Sequence, residues 1–349
     1  MSFCIVHIID SMGLGGAQSM LCELYLAIQP YYPEYTQLVI SNERIAANKN
    51  FIASYGVPYK SLRDTNDIIK KISKKNKPII IFHKLASSSP NIIENIKQRT
   101  NRPVIVINHT LYQSRNWTKT KACDIMVSVS AHMQKKLSQW YPRLNHAYIH
   151  NGVNAFRYDK IAGKRNYGNN ELITGRINRI CAWKYSDKWI EWCAKVKLPK
   201  KMVHEYMGGG PRERQARLII KKNKGTRNKV VFTGAINDFK QKISMLKGWD
   251  IFLYDTNRNE GVSMAILEAM ASGVPVICSN HYGNKEIIKK GINGYIFKNL
   301  EEAREILTDL CSDNSKLEKL KKTTKQYFIE NLDAKIMASK YIRLIEKLI

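Results

Sequence analysis

Short apolar runs bounded by glycine or polar clusters alternate along this chain with longer stretches whose apolar residues recur every three to four positions. The first kind reads as buried strands over 3–9, 35–40, 79–82, 104–108, 124–130, 202–207, 230–234, 249–254 and 274–278. The second reads as helices over 17–28, 264–272, 300–311, 314–331 and 334–349, with another ending near 141. In the last helix Ile336, Met337, Tyr341, Leu344, Ile345 and Leu348 keep helical spacing. Strand and helix alternating in this way predict a doubly wound α/β protein. A polar, glycine-bearing stretch within 152–170, AGKRNYGNN, reads as a linker between two halves.

Composition leaves that picture standing. A chain of 349 residues has room for two domains of ordinary size. No run of eighteen apolar residues occurs, so no membrane-spanning helix is expected. The opening MSFCIVHIIDSMGLGG lacks a basic leader and runs into a glycine loop, so it reads as a first strand and not as a signal peptide. The seven cysteines are scattered without a C-x-x-C pair, which argues against a disulfide framework or a zinc site and fits a reducing cytoplasm. Charge does change the picture. The net +28 is spread over both halves and concentrates polyanions near the protein: nucleic acid, anionic lipid headgroups or phosphate-bearing glycans. Compositional drift toward Ile, Asn and Lys is the bland alternative.

Candidate chemistry gathers at strand–loop–helix junctions. Ser11–Gly16 is a glycine loop after the first strand, where Gly15 and Gly16 allow close approach of a ligand phosphate or sugar. A nicotinamide-type fingerprint would use Glu43 after the second strand, but its third glycine is missing. The segment HTLYQSRNWTKTK after the strand at 104–108 interleaves Tyr112, Arg115, Trp117, Lys119 and Lys121, a pattern suited to stacking and phosphate contact. A capping loop with Trp117 on the core is the alternative. Arg179 and Lys184 flank a loop at a strand end, and two such cations neutralise a diphosphate as it takes on charge. Arg176 is a second candidate for the same place. Gly208–Pro211 (GGGP) is a further strand–loop–helix junction. In NEGVSMAILEAMASGVPVICSNHYGNKEIIKKGINGYIF (259–297) Glu260 and Glu268 bracket seven residues. Gly261, Val262 and Ser263 open a helix there, and first-turn amides without internal partners bind phosphate. Read alone, the two glutamates are a loop acid and a solvated helix residue.

The order EG, LEAMASGVPVI, a Gly-Asn, Glu-Ile-Ile and GxNGYIF resembles the nucleotide-sugar half of retaining GT-B glycosyltransferases, especially glycosyltransferase family four. GGAQ before the first helix and YIHNGV at 148–153 resemble further phrases of that family. The resemblance is densest over 170–300 and looser over 1–155. It departs from the family at Tyr185, where members usually carry Gly after the Lys.

The resemblance implies two facing Rossmann-like domains with an interdomain cleft. Residues 1–155 would form an acceptor-side domain and 156–330 a nucleotide-sugar-binding domain, and the 331–349 helix would cross back to the first. It implies a nucleotide-diphosphate donor, a UDP-sugar, with no metal or other cofactor. In that scheme Glu268 meets the ribose, Glu260 and His109 face the sugar, and Gly209 lies near the nucleotide. Arg179, Lys184 and the amides of 261–263 stabilise the leaving diphosphate, and a donor phosphate oxygen takes the acceptor proton. For the acceptor the preferred reading is a polyanion, a hydroxymethylated base in DNA as for phage-type modifying enzymes, with Tyr112, Arg115, Trp117 and Lys119 as contacts. A glycolipid, lipopolysaccharide or capsule acceptor at an inner-membrane surface stays open. So does a non-catalytic polyanion-binding protein on an inactive fold.

Overall fold

The structure is a computed structural model and describes residues 3–13, 15–42, 53–83, 90–111, 123–182, 184, 186–223, 225–256 and 261–349. Two compact units divide the chain. The first takes in Met1–Asn154, Glu260–Met264 and Leu332–Ile349, and the second Ala155–Asn259 and Ala265–Asn331.

The first unit holds a parallel seven-stranded sheet. Its elements run β1 (Phe3–Ile9), α1 (Gly16–Tyr31), β2 (Tyr35–Ser41), β3 (Lys60–Ser61), α2 (Thr65–Ser73), β4 (Pro78–His83), α3 (Pro90–Thr100), β5 (Val104–Asn108), β6 (Ile125–Ser128), α4 (Ala131–Trp140) and β7 (His146–Tyr148). The strand order β3-β2-β1-β4-β5-β6-β7 reverses between β1 and β4. Such a reversal opens a crevice at the carboxyl ends of the strands, where doubly wound sheets bind ligands. Buried β-branched strands make the layer; Val6, Ile8, Ile80, Val104 and Val106 lie in one core cluster with Ile68, Ile72, Ile93 and Ile96 of α2 and α3. Helix starts follow side-chain caps. Asp64 accepts from the Asn66 amide at 2.7 Å, and Ser130 from the Met133 amide at 3.2 Å.

In the second unit a six-stranded parallel sheet repeats this plan. It runs α5 (Ala155–Asp159), β8 (Glu171–Ile177), α6 (Asp187–Lys195), β9 (Lys201–Met207), α7 (Glu213–Lys222), β10 (Lys229–Gly234), α8 (Phe239–Lys247), β11 (Ile251–Tyr254), α9 (Met264–Ala271), β12 (Val276–Ser279), α10 (Tyr282–Ile287), β13 (Gly294–Phe297), α11 (Leu300–Ser312) and α12 (Asn314–Asn331). The order β10-β9-β8-β11-β12-β13 reverses between β8 and β11. Trp189, Ile190, Leu253, Ile277, Phe297, Leu307 and Leu310 belong to one buried cluster on this sheet.

Two strands start two residues later than the sequence predicts. The run at 249–254 is strand from Ile251, and Asp250 before it is tied to β8 twice, its amide donating to the Ile173 carbonyl at 2.7 Å and its carboxylate accepting from the Ile173 amide at 2.9 Å. The run at 274–278 enters at Val276, since Pro275 has no N–H to donate. Arg176 lies inside β8 and not before a strand.

The last helix, α13 (Ala334–Glu346), belongs to the first unit and packs along α1. The Asp333 side chain caps it by accepting from the Lys335 amide at 2.8 Å, and the Ala334 amide donates to the Val153 carbonyl at 3.0 Å. All seven cysteines are buried, and none forms a disulfide. No helix among the described residues is long and apolar enough to cross a membrane.

Candidate functional site

In the first unit the candidates sit where the strand order reverses. The loop after β1 ends at Gly15, which precedes the first turn of α1. Gln18 pins that loop: its buried amide donates to the Ser11 carbonyl at 2.9 Å. A Cβ on Gly15 would stand 2.6 Å from the Gln18 Oε1. Among the described residues the side-chain oxygen of Gln18 has no hydrogen-bond partner. Gly16 is exposed, and a Cβ there would make only ordinary contact with Met264.

Three histidines line up across the same sheet. His7 on β1 and His83 on β4 are fully buried and share a hydrogen bond of 3.0 Å between Nδ1 and Nε2. His7 Nε2 lies 3.1 Å from the Gln37 Oε1. His109, directly after β5, stacks on His83 with ring centroids 6.2 Å apart. Burial pulls His7 down to about 4, against a smaller opposing effect of the Gln37 bond. Burial first, then the charges of His7 and His109, holds His83 well below the usual histidine range. The pair is therefore neutral at physiological pH.

Residues 261–263 also belong to this unit. Gly261 lies so close to Val129 and Met133 that a Cβ would come within 2.5 Å of the Val129 Cγ2 and 2.7 Å of the Met133 Sδ. Only a residue without a side chain allows that approach. Asn151 Nδ2 donates to the Val262 carbonyl at 3.3 Å. Ser263 is half-buried and leads into α9.

In the second unit the loop after β8 carries Arg179, which is exposed, and Lys184, which is half-buried. Arg176 is 1% exposed and sits between Trp189, Tyr206 and Tyr254, with its guanidinium carbon 6.0, 4.9 and 5.1 Å from the ring centroids. It donates to the Lys184 carbonyl at 3.1 Å and to the Asp255 carbonyl at 2.9 Å. Asn178 Nδ2 donates to the same Lys184 carbonyl at 2.8 Å. Arg176 thus ties the loop down from beneath, while Arg179 is left facing solvent.

The triple glycine holds the other side of this loop. Gly208 and Gly210 adopt φ of 146° and 158°, which side-chain-bearing residues rarely take. A Cβ on Gly208 would stand 2.0 Å from the Asn178 carbonyl oxygen, and one on Gly210 2.3 Å from that of Ile180. The Ile180 amide donates to the Gly209 carbonyl at 3.0 Å, and the Arg212 amide returns a bond to the Ile180 carbonyl at 3.1 Å. Gly209 therefore lies against the strand end that presents Arg179.

Glu268, on α9, is not a solvated helix residue. It is 3% exposed, and Lys242 of α8 donates to its Oε1 at 2.7 Å. Glu260 and the loop candidates Tyr112, Arg115, Trp117 and Lys119 lie outside the described residues. Sequence reasoning did not single out His7, His83, Gln18, Asn178 or Lys242.

Comparison with known proteins agrees with this architecture. Residues 158–327 match the family model for glycosyl transferases group 1. The chain overlays Anabaena Alr3699/HepE, crystallised in complex with UDP, with a TM-score of 0.77 at 16% identity, covering 100% of both chains. In sequence it is 27% identical over 179 residues to an uncharacterized glycosyltransferase, MJ1069, of Methanocaldococcus jannaschii, covering 50% of this chain and 44% of that protein. It is 35% identical over 101 residues to spore coat protein SA of Bacillus subtilis, covering 28% and 27%. The matched segments span less than half the length of either relative. The chain has the GT-B fold, and its residues 158–327 are similar to glycosyl transferases group 1.

Proposed function

We propose that this protein transfers a sugar from a nucleoside-diphosphate donor, a UDP-sugar, to a hydroxyl acceptor with retention of configuration. The observation that carries the reading is the loop after β8, clamped by Arg176 on one side and by Gly208–Gly210 on the other, with exposed Arg179 and half-buried Lys184. Cations fixed in advance stabilise charge that develops on a leaving diphosphate. The group 1 match over the same region supports the reading, as do the UDP and UDP-glucose complexes of the structurally similar HepE. In this reading the amides of Gly261, Val262 and Ser263 add to that stabilisation, Glu268 takes the ribose hydroxyls, and Glu260 and His109 face the sugar. Gly15 and Gly16 allow close approach of the donor, and Gly209 lies by the nucleotide. Protein cations serve in place of a metal, so turnover persists in excess EDTA. Residues 1–155 bear the acceptor side, 156–330 the donor side, and 331–349 complete the first domain.

For the acceptor we keep a polyanion, with a hydroxymethylated base in DNA first and an anionic glycolipid surface second. The net +28 supports either, and Tyr112, Arg115, Trp117 and Lys119 would supply the contacts. A donor-by-acceptor screen, read by UDP release and mass spectrometry of the acceptor, tests the whole reading. The expected result is UDP release that rises with one acceptor class and is lost in Glu268→Ala. Normal turnover by that variant removes Glu268 from the assignment. Gel shift on DNA against sedimentation with anionic vesicles, at matched salt, separates the two acceptors; firm vesicle binding with none to DNA ends the DNA reading.

A further inference from the structure

α8 buries one face, made of Phe239, Lys242, Ile243 and Leu246. That spacing is the core stripe of an amphipathic helix, and a lysine occupies one of its apolar places. α9, with the sequence MAILEAMA, is apolar at every position but one, and the exception is Glu268. These two misplaced charges find each other at 2.7 Å, with side chains only 7% and 5% exposed. Burying two ions costs several kcal/mol per ion before their attraction is counted, and an apolar pair of similar volume is commonly as stable or more so. Packing alone therefore does not account for this pair. Of the two Glu268 oxygens Lys242 donates to Oε1, and among the described residues no group donates to Oε2.

We propose that Lys242 is a positioning residue for the nucleotide: it holds Glu268 by Oε1 in one rotamer, and so presents Oε2 to the cis-diol of the donor ribose. A carboxylate held in this way accepts hydrogen bonds and offers none, so it selects a sugar that carries two donating hydroxyls over one that has lost a hydroxyl. The inference rests on the reading of Glu268 as the ribose ligand, and it assigns the selectivity of that carboxylate to a residue that never touches the ligand.

The test measures binding by calorimetry of the tightest binder among UDP, ADP and GDP, and of its deoxyribose form. The wild-type protein should prefer the ribose form by on the order of 10- to 100-fold, the range for a hydrogen bond to a charged group. Lys242→Met should bring that preference below about threefold while Arg179-dependent diphosphate binding persists, as read with inorganic pyrophosphate. Lys242→Gln keeps a donor and loses the charge, so it serves if the Met variant does not fold; an intermediate preference is expected. Glu268→Gln is run in parallel. If it abolishes the preference but a folded Lys242 variant keeps the wild-type value, the inference fails and the ribose assignment stands. If Glu268→Gln also keeps the wild-type preference, or if none of the three nucleotides binds, the ribose assignment itself fails and the inference goes with it.

Discussion

The central strands of the two sheets solve one problem in opposite ways. β1 carries a buried histidine, His7, that pairs with His83 and stays neutral. β8 carries a buried arginine, Arg176, that lies among aromatic faces and donates to two carbonyls, while its Nε has no partner among the described residues. At its central strand the first unit thus buries a histidine pair, while the second buries a guanidinium beneath the loop that bears Arg179 and Lys184. The difference teaches where an anionic group would be met: preorganised charge belongs next to a diphosphate, and neutral donors next to sugar hydroxyls.

Four measurements break or sharpen that contrast, the largest effect first. Arg176→Met should cost roughly 2–4 kcal/mol of stability in urea titration, since it takes the donor from the Asp255 carbonyl, leaves the Lys184 carbonyl to Asn178 alone and opens the aromatic cage. A loss near that of an ordinary surface change would mean the cage does not need its cation. Arg179→Ala should leave the urea midpoint alone and lower turnover by about 2–4 kcal/mol in the chemical step, or on the order of 10²–10³-fold in kcat. Equal effects of these two variants on both stability and turnover would erase the distinction between anchor and site. The third measurement is pH dependence. His7 titrates at about 4 in the folded protein and His204 at about 3, both chiefly through burial, against 6.5 unfolded. Below 6.5 the unfolded chain takes up protons that the folded chain refuses. Stability is therefore complete above that pH and declines as pH falls toward the folded values. Each such histidine should cost about 2 kcal/mol between pH 7.5 and pH 5. His7→Gln should flatten the slope, and an unchanged slope would show that His7 contributes nothing to it. The smallest effect is Asp333→Ala, about 1 kcal/mol from the lost cap of α13. Differential scanning calorimetry should show it in the first unit alone.

Much of the strand–helix order was legible because buried parallel strands read as continuous apolar runs, and the bounds at 300–331 hold closely. Short elements such as β3 and β7 were not, since two or three residues hold no period. Arg179 and Lys184 stood out as candidates by their place around a loop at a strand end, and Glu268 only through the family resemblance of the phrase that holds it. Arg176 was visible only as a rival cation, because a sequence does not say that Trp189, Tyr206 and Tyr254 converge on it. His7 and His83 lie on strands 76 residues apart, and no local pattern joins them. Lys242 did leave a trace, a lysine at a core-facing helical position in FKQKISMLK, but its meaning depends on Glu268 of another helix.

The seven buried thiols give the molecule an internal clock. Cys4, Cys22 and Cys123 lie in the first unit, and Cys181, Cys193, Cys278 and Cys311 in the second. Burial raises Cys123 to about 12 and pushes Cys193 and Cys278 up as well, so in the closed protein these three offer alkylating reagents almost no thiolate. Modification then waits on opening, and peptide mapping after a brief pulse reads how often each half breathes without any label having been engineered into it.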